Sequence, residues 1–354
     1  MRKIAVLAAA VLAVVVVVTT ASASAPRNNV KKLDHVWVVM MENTSETSLI
    51  GNPNAPFVNQ LAQTAGFAAN YFGVAHPSQP NYVALTSGST NGVVDDNDTT
   101  VNAANIVDQL ESHHKSWRDY QQSLSDCNGN KFAHSCGGPG NQLYERKHNP
   151  FVSYADVASN PARMANVVDL DQLQTDLSSR HAPDFSFIAP DQCHDMHGIA
   201  DTHANPCDFS NEQSIISLGD TFLNGLVHEI TSSRAWDDHS AIFVVWDESD
   251  FTGSATNSGF GDASGCCDAN PGGGHVLGLV ISNSDDSGHS DSGHSGSGHS
   301  DSDHSDHAAR QSNVAYNHYS LLATIEDSWK LGCLANTCDT ANVTPMSDLV
   351  GSRD

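Results

Sequence analysis

Runs of apolar residues without helical periodicity alternate along the chain with segments whose apolar positions recur every three or four residues. The first kind is typical of buried β-strands and the second of amphipathic helices. We predict strands over residues 33–41, 117–121, 184–189, 241–246 and 276–281. We predict helices over residues 57–67, 106–114, 167–177, 215–230 and 316–331, and a further helix that starts near Ser78. This alternation predicts an α/β fold, with a mostly parallel central sheet and helices on both faces.

The N-terminal segment falls outside this pattern. Residues 1–25 combine Arg2 and Lys3 with an apolar run and small residues at 21–25, which is typical of a secretory signal peptide. No second stretch is long and apolar enough to cross a bilayer, so we expect no integral membrane segment after signal removal. We therefore expect a secreted, extracellular protein with a single domain over residues 26–354. The sequence gives no indication of its oligomeric state.

A second unusual segment covers residues 283–311, which are rich in His, Asp and Ser and nearly free of apolar residues. Such a composition cannot build a core, so we expect a disordered insertion at the surface. Histidines recur at positions 289, 294, 299 and 304. One interpretation is a solvated spacer, and the other is weak capture of Zn²⁺, Cu²⁺ or Ni²⁺ by imidazole.

The charge balance narrows the classes of partner. The chain has 41 acidic residues against 16 Lys and Arg, a formal net charge of −25 at pH 7. This excess of negative charge argues against a nucleic-acid-binding surface and against simple adsorption to anionic lipid. It is compatible with an exported enzyme.

Eight cysteines in an exported chain favour disulfides over a metal site built on thiolates. Two pairs are close enough in sequence to form local loops, Cys127/Cys136 and Cys333/Cys338. A bond between Cys193 and Cys207 would close a His-rich loop. Cys266 and Cys267 are adjacent, so either each has a distant partner or they bond to each other. The sequence does not fix the connectivity.

The stretch from Ala75 to Gly88 is centred on Ser78, which we expect to be the N-cap of a helix with Pro80 in its first turn. A hydroxyl at a helix N-terminus faces backbone N–H groups and the positive end of the helix dipole. That environment suits an anionic ligand such as phosphate. The alternative is an ordinary capping serine.

Polar pairs end two of the predicted buried strands, Glu42-Asn43 after the first and Asp247-Glu248 after the strand at 241–246. In a parallel sheet these ends meet at one edge, together with the Ser78 turn. Three carboxylates and an amide oxygen would form a hard, oxygen-lined site for one divalent cation, either Mg²⁺, Ca²⁺, Mn²⁺ or Zn²⁺. A serine hydroxyl beside that cation would become a nucleophile. Each acidic pair alone is also compatible with a cap or a solvated turn.

Five short motifs follow one another along the chain: Met41-Glu42-Asn43, Pro77-Ser78-Gln79-Pro80-Asn81-Tyr82, Asp195-Met196-His197, Trp246-Asp247-Glu248 and Tyr316-Asn317-His318-Tyr319-Ser320. In these motifs and their order the chain resembles the phosphoesterase family, which contains bacterial and fungal acid phosphatases and non-specific phospholipases C. The serine motif also resembles the nucleophile turn of the wider alkaline phosphatase superfamily. The resemblance covers nearly the whole chain after residue 25, apart from the His-rich segment, and implies an alkaline-phosphatase-like fold.

The resemblance also implies roles for individual residues. Glu42, Asn43, Asp247 and Glu248 would hold one metal ion, and Ser78 would complete its shell. Ser78 would attack phosphorus and form a phosphoseryl intermediate that water then hydrolyses. The implied ligands of the phosphoryl group or substrate are Asn81, His197, His275, His76 and Asp195. A protonated histidine among them, His197 or His275, would act as general acid and favour acidic pH.

Other roles are open for three of the polar residues near these motifs. Asp195 would either contact substrate or orient His197. His76 is either a phosphate ligand or a turn residue. His318 fits better as support for the start of the last helix than as a ligand.

We therefore expect a secreted, metal-dependent acid phosphatase that acts on a small phosphate-ester substrate. A phospholipase C-type phosphodiesterase is the first alternative. The chain ends at Asp354, without the C-terminal domains of the larger phospholipases, and this favours the phosphatase. The alternative of another class is an exported metal-binding protein that uses the His/Asp repeat. Deletion of residues 284–307 would abolish the function of such a protein but would leave a phosphoesterase active.

Overall fold

The computed structural model describes residues 30–179, 182–200, 205–250, 261–282 and 310–350. Its strands are His35–Met41 (β1), Gly66–Phe72 (β2), Trp117–Gln121 (β3), Ser135–Cys136 (β4), Tyr144–Glu145 (β5), Val167–Asp169 (β6), Phe185–Ala189 (β7), Ser240–Trp246 (β8), His275–Ser282 (β9) and Gln311–Asn317 (β10). Its α-helices are Glu46–Leu49 (α1), Pro56–Thr64 (α2), Ser78–Ser87 (α3), Ile106–Ser112 (α4), Ala155–Ala158 (α5), Pro161–Met164 (α6), Gln172–Ser178 (α7), Glu212–Thr231 (α8), His318–Trp329 (α9) and Ser347–Val350 (α10).

Eight of these strands form one sheet in the order β10-β2-β9-β8-β1-β7-β3-β6. All neighbouring pairs are parallel except the two that involve β9, which runs antiparallel to β2 and to β8. Helices cover the sheet, with α3 against α9 and α2 against α8. The predicted α/β fold with a mostly parallel sheet is confirmed.

The centre of the sheet is the most apolar part of the chain. Every residue of β8 is buried, and so is every residue of β1 after His35. Strands that are covered on both faces need continuous apolar sequence, and this explains why these two were predictable. β1 and β8 are paired along their whole length, with Met41 opposite Trp246. The residues that follow them therefore leave the sheet at the same edge.

Helix α3 is buried along its whole length, although half of its residues are polar. It ends at Gly88, whose φ of 73° is left-handed. A Cβ at that position would lie 2.1 Å from the carbonyl oxygen of Leu334. Glycine is therefore required for both its conformation and its lack of a side chain. This stop fixes the length of the helix that carries Ser78.

Three predicted boundaries were wrong. The helix predicted over residues 57–67 ends at Thr64, and β2 begins two residues later. The helix predicted over 167–177 is a short strand, β6, followed by α7. The residues before His318 form β10, and the end of the predicted insertion overlaps it, because Gln311 already pairs with Phe67 of β2. The signal sequence at 1–25 and the rest of the insertion, 283–309, lie outside the described residues.

The four disulfides are Cys127–Cys136, Cys193–Cys207, Cys266–Cys267 and Cys333–Cys338. The adjacent cysteines thus bond to each other. None of the helices in the described ranges has the length and apolar character needed to cross a bilayer.

A buried acid on β3 leads to a prediction about stability. Burial raises the pKa of Asp119 from 3.8 to about 8. One carboxyl oxygen accepts a hydrogen bond from Gln121 Nε2 at 2.8 Å, and the other has no partner among the described residues. Because the pKa is higher in the folded state, Asp119 favours folding below about pH 4 and disfavours it progressively as the pH rises towards 8. We expect Asp119→Asn to raise the free energy of unfolding at pH 7 by up to about 4 kcal/mol.

Urea unfolding followed by tryptophan fluorescence between pH 4 and 8 measures this effect as the difference between variant and wild type. Asp184→Asn is the matched control of opposite sign. Although burial alone would raise the pKa of Asp184, hydrogen bonds from Lys115 and Ser116 lower it below 3.8. We expect this control to be destabilised at pH 7 and to lose that penalty as the pH falls. A pH-independent effect of Asp119→Asn would show that burial of the charge is not the cause.

Candidate active site

Four polar residues meet where β1 and β8 leave the sheet. Glu42, Asp247 and Glu248 are buried, and Asn43 is half-buried. The backbone N–H of Asn43 donates to Asp247 Oδ1 at 3.0 Å and so links the two strand ends. Asn43 has a positive φ of 37°, a conformation that asparagine tolerates better than most residues. The structure therefore brings the two polar pairs of the sequence, Glu42-Asn43 and Asp247-Glu248, into one cluster.

Ser78 lies against this cluster as the first residue of α3. Its Oγ is 3.1 Å from Glu42 Oε2 and 3.1 Å from Glu248 Oε1. The N-cap is Pro77 and not Ser78, so the predicted capping role of the serine is wrong. A hydroxyl has one proton, and here two buried carboxylates compete to accept it. The serine hydroxyl is therefore directed at acidic groups and not at its own helix.

The carboxyl groups of the same cluster are oxygen donors of the kind that divalent cations prefer. In the orientation that satisfies its hydrogen bonds, the side-chain nitrogen of Asn43 can donate to Glu42 Oε2 at 3.0 Å, to Asp247 Oδ1 at 3.2 Å and to Glu248 Oε1 at 3.3 Å. The opposite orientation of the amide would offer its oxygen to a cation instead. Asp247 Oδ2 is buried and has no hydrogen-bond partner in the part of the chain that the structure describes. Across the same part, no three His, Cys, Asp or Glu side chains form a metal-binding group of their own. The cluster depends on Asn43 and Ser78 as well as on the three carboxyl groups, whose oxygens fit a hard cation.

The pKa shifts of the carboxyl groups have a common origin. Burial first, and then the charge of Asp247, raises the pKa of Glu42 well above 4.5. Burial and the charge of Glu248 raise the pKa of Asp247 well above 3.8. Burial also raises the pKa of Glu248, although His76 opposes the shift. Three such groups are costly to keep charged together, and a bound cation would remove that cost.

His76 is fixed beside the cluster. Its Nδ1 is hydrogen-bonded to Glu248 Oε2, and its Nε2 is 2.9 Å from the carbonyl oxygen of Asp262. Burial would lower the pKa of His76, but the hydrogen bond and the charge of Glu248 outweigh it and raise the pKa above 6.5. Both ring nitrogens are engaged, so this conformation supports a role in orienting Glu248 instead of the predicted contact with phosphate.

Asn81, a predicted substrate ligand, bonds to the backbone before Ser78 and not to the cluster. The side-chain oxygen of Asn81 accepts from the backbone N–H groups of Val74 and Ala75, and its nitrogen donates to the carbonyl oxygens of Ala75 and Pro77. Its amide thus closes the loop before Ser78, so the predicted substrate contact is not supported.

His275 lies at the same sheet edge, but its ring turns away from Ser78. Its Nε2 is 2.9 Å from the carbonyl oxygen of Ala69, and its ring packs on Phe72 with centroids 5.2 Å apart. The predicted catalytic role of His275 is not supported by this position. His318 was predicted to support the start of the last helix and not to bind a ligand. Its Nε2 is 2.8 Å from the backbone carbonyl oxygen of Asp247, so it links the start of α9 to the end of β8.

Asp195 and His197 belong to a loop that is hydrogen-bonded to the backbone of Glu42. The carbonyl oxygen of Asp195 accepts from the N–H of Glu42 at 2.8 Å, and its Oδ1 accepts from the N–H of His197 at 2.8 Å. His197 Nδ1 is 2.7 Å from the carbonyl oxygen of Gly198 and must carry the proton, because a carbonyl only accepts. Burial and the charge of Lys147 lower the pKa of His197 to about 4. Without a ligand the predicted protonated histidine is therefore neutral above about pH 4, with a lone pair on Nε2.

The structure adds residues that the sequence analysis missed. Tyr82 donates to Glu42 Oε1 at 2.5 Å, and His148 stacks on Tyr82 with its Nε2 3.1 Å from the same oxygen. Lys147 and Asp96 form an ion pair close to Ser78. Tyr82 was predictable, because it stands four positions after Ser78 on the same face of α3. The basic pair Lys147-His148 lies in an irregular Gly- and Asn-rich region that has no periodic signal.

Residues 51–332 match the family model described as "Phosphoesterase family". The chain is 25% identical over 326 residues to the phosphate-repressible acid phosphatase of Penicillium chrysogenum, covering 91% of this chain and 66% of that protein. It is 30% identical over 233 residues to a phosphatidylinositol-3-phosphatase of Mycobacterium tuberculosis, covering 63% of this chain and 65% of that protein. The chain thus spans just under two thirds of each of these curated relatives.

The fold is also similar to a solved structure, a protein of the alkaline phosphatase superfamily from Vibrio parahaemolyticus. The TM-score is 0.50 at 14% sequence identity, over 90% of this chain and 72% of that one. At this identity the similarity shows the fold alone. The expected alkaline-phosphatase-like architecture is confirmed by it.

Proposed function

The chain belongs to the phosphoesterase family, and on that premise we propose that it is a metal-dependent acid phosphatase that hydrolyses phosphate monoesters through a phosphoserine on Ser78. One observation carries this proposal. The Ser78 hydroxyl lies 3.1 Å from an oxygen of each of two buried glutamates, beside the third buried carboxyl group, that of Asp247. A purely structural serine would be expected to bond to its own backbone, and a structural acid to a basic side chain.

We propose that Glu42, Asn43, Asp247 and Glu248, together with Ser78, hold one divalent cation. Oxygen donors of this kind accept Mg²⁺, Ca²⁺, Mn²⁺ or Zn²⁺. When bound, the cation would supply positive charge beside the attacking serine oxygen and the transferred phosphoryl group. Asp247 Oδ2, which has no hydrogen-bond partner among the described residues, and the raised pKa values of the three carboxyl groups support this assignment.

In the first step Ser78 Oγ forms a bond to phosphorus while the bond from phosphorus to the ester oxygen breaks, and the alcohol leaves. The hydroxyl proton passes to Glu42 or Glu248, the two groups that already compete for it. Tyr82 and His76 hold one oxygen of each glutamate in position. The leaving oxygen gains a proton, from solvent or from the protonated fraction of His197 that grows as the pH falls towards 4.

In the second step water attacks phosphorus, the bond to Oγ breaks, and inorganic phosphate leaves, while Oγ recovers its proton from the glutamate that took it in the first step. The neutral His197, with its lone pair on Nε2, is suited to accept the proton of that water. Asp195 fixes the backbone on both sides of this arrangement by bonding to Glu42 and His197. Asp195 thus acts by positioning and does not need to contact substrate.

We also propose that the protein is exported, on the strength of the signal pattern at residues 1–25, and that residues 26–354 form one catalytic domain. The acid phosphatase name of the fungal relative supports a small, soluble phosphate monoester as substrate. The name of the mycobacterial relative supports the inclusion of phosphatidylinositol 3-phosphate in a substrate panel.

The test is a substrate panel on the full-length protein, first treated with a chelator and then supplied with each of the four cations. We expect hydrolysis of p-nitrophenyl phosphate to return with at least one cation, and hydrolysis of bis(p-nitrophenyl) phosphate and phosphatidylcholine to be much slower. Faster hydrolysis of the diesters would favour the phospholipase C alternative. No hydrolysis of any phosphoester with any cation would rule out both enzymes.

A further inference from the structure

The N-terminus of α3 has fewer free backbone N–H donors for an anion than its sequence predicts. The N–H of Gln79 donates to Asp96 Oδ1 at 2.9 Å, and Pro80 has no N–H. Two donors expected to face a phosphoryl group are thus taken or missing. Three carboxylates lie on the other side of Ser78, and they repel a phosphate ester. Even with one divalent cation bound, binding of a dianion therefore needs positive charge from another group.

Lys147 is placed to supply that charge. Its Nζ is 3.2 Å from Asp96 Oδ2, so one aspartate bridges the lysine and the first turn of α3. Asp96 is the one acceptor that Lys147 Nζ has within the described ranges, which leaves two ammonium protons for a ligand. The charge of Lys147 acts on Glu42, Asp195 and Asp247, whose pKa values it lowers against the larger effect of burial.

The loop that carries Lys147 is held next to the loop that carries Asp96. Arg146 pairs with Asp98 Oδ2 at 3.1 Å, beside the pair between Lys147 and Asp96. The Gln79 side chain anchors the second loop, since its amide nitrogen can donate to the carbonyl oxygens of Asp95 and Asn97 at 3.1 and 2.8 Å. The ammonium group thus has a fixed position relative to Ser78, and little conformational entropy is lost when a ligand binds.

We propose that Lys147 binds the phosphoryl group of the substrate beside Ser78 and gives the site its preference for dianionic monoesters over monoanionic diesters. This inference rests on the proposed function. A phosphate monoester near neutral pH has two negative charges on its non-bridging oxygens, and a diester has one. Removal of one fixed cation therefore costs the monoester more in binding and in reaction than the diester.

The test compares Lys147→Met with wild type in two measurements. We expect kcat/KM for p-nitrophenyl phosphate to fall about 10- to 100-fold, the range for loss of a charged hydrogen bond, and kcat/KM for its bis ester to fall by less than about fivefold. We also expect the dissociation constant of inorganic phosphate, measured by calorimetry with the cation present, to rise about 10- to 100-fold. Lys147→Arg should recover most of both losses, because it keeps the charge.

Lys115→Met is the matched control. It makes the same substitution in a side chain 20% exposed against 15% for Lys147, but in a lysine that pairs with Asp184 and stands two residues before β3. We expect it to leave the monoester-to-diester ratio unchanged. Equal losses on both esters in Lys147→Met, or the same ratio change in Lys115→Met, would overturn the inference. If wild type hydrolyses no ester but binds phosphate more tightly than Lys147→Met does, the proposed function and the preference between esters fail, and the contact of Lys147 with the phosphoryl group stands. If phosphate binding is equal in the two proteins, the inference fails as well.

Discussion

Replacement of Ser78 by alanine is expected to lower kcat for p-nitrophenyl phosphate by about 10⁴-fold or more. The reason is that the variant lacks the oxygen that forms the bond to phosphorus, while both glutamates, Asn43 and Asp247 remain in place. Loss of a nucleophile removes the covalent route entirely, whereas loss of a positioning group only slows it. Steady-state rates measured with the cation at saturation check the prediction.

The intermediate provides a second measurement. Acid quenching during turnover should trap one phosphoryl group on wild type, and peptide mass spectrometry should locate it on Ser78. The same experiment on Ser78→Ala should trap none. A phosphoryl group on a histidine, or activity within about tenfold of wild type in the alanine variant, would mean that Ser78 is not the nucleophile.

Ser87→Ala is the matched control for Ser78→Ala. Ser87 is buried in the same helix, but its hydroxyl donates to the carbonyl oxygen of Val83 at 2.8 Å. Its replacement removes the donated bond, which the Ser89 carbonyl oxygen at 3.0 Å can also accept, and one accepted from Asn91 Nδ2 at 2.8 Å, each worth about 1 kcal/mol, and it touches no carboxylate. We expect a small loss of thermal stability and an unchanged kcat. A large activity loss in this control would mean that damage to α3 itself explains the effect of Ser78→Ala.

Much of the framework could be predicted because its signal is local. The runs at 36–41 and 241–246 are apolar throughout, a pattern typical of a short strand that is buried on both faces. Once two such strands are parallel neighbours, the polar residues that follow them must lie at one edge. The proximity of Glu42, Asp247 and Ser78 thus follows from the sequence pattern together with a rule about parallel sheets.

β2 and β10 were missed because their stability comes from distant partners. The sequence of β2, Gly66–Phe72, contains Gly, Ala and Asn, and it continues directly from an amphipathic helix. It becomes a strand because it pairs with β9 on one side and β10 on the other. Pairing over more than two hundred residues of sequence leaves no trace in the local pattern.

The outer part of the site could not be predicted for a different reason. The sequence shows which residues follow a motif but not the direction in which their side chains turn. Asn81 turns back to the loop before Ser78, and His275 turns to β2. Lys147 and His148 reach the cluster from a single 3₁₀ turn, Arg146–His148, which follows the short strand β5. No rule of spacing connects that segment to Ser78.

Asp247→Asn is expected to weaken binding of the divalent cation by about 100-fold or more, and to reduce kcat/KM by a similar factor at limiting cation. The same substitution should stabilise the cation-free protein, because it removes one of three buried carboxylates whose burial and mutual repulsion raise their pKa values. A residue with a merely structural role would lower stability and leave cation affinity unchanged. The opposite signs of the two effects therefore identify a cation ligand.

Thermal unfolding with and without the cation measures both effects on one protein. At a cation concentration of about 100 Kd, wild type should gain about 2.7 kcal/mol of unfolding free energy, and at the same concentration the variant should gain only about 0.4 kcal/mol. Asp250→Asn is the control, because Asp250 stands three positions later and its Oδ2 accepts from Ser45 and Ser48. It should keep the full cation-dependent gain. A full gain in Asp247→Asn as well would place the cation elsewhere, because an asparagine lacks the charge on which this site depends.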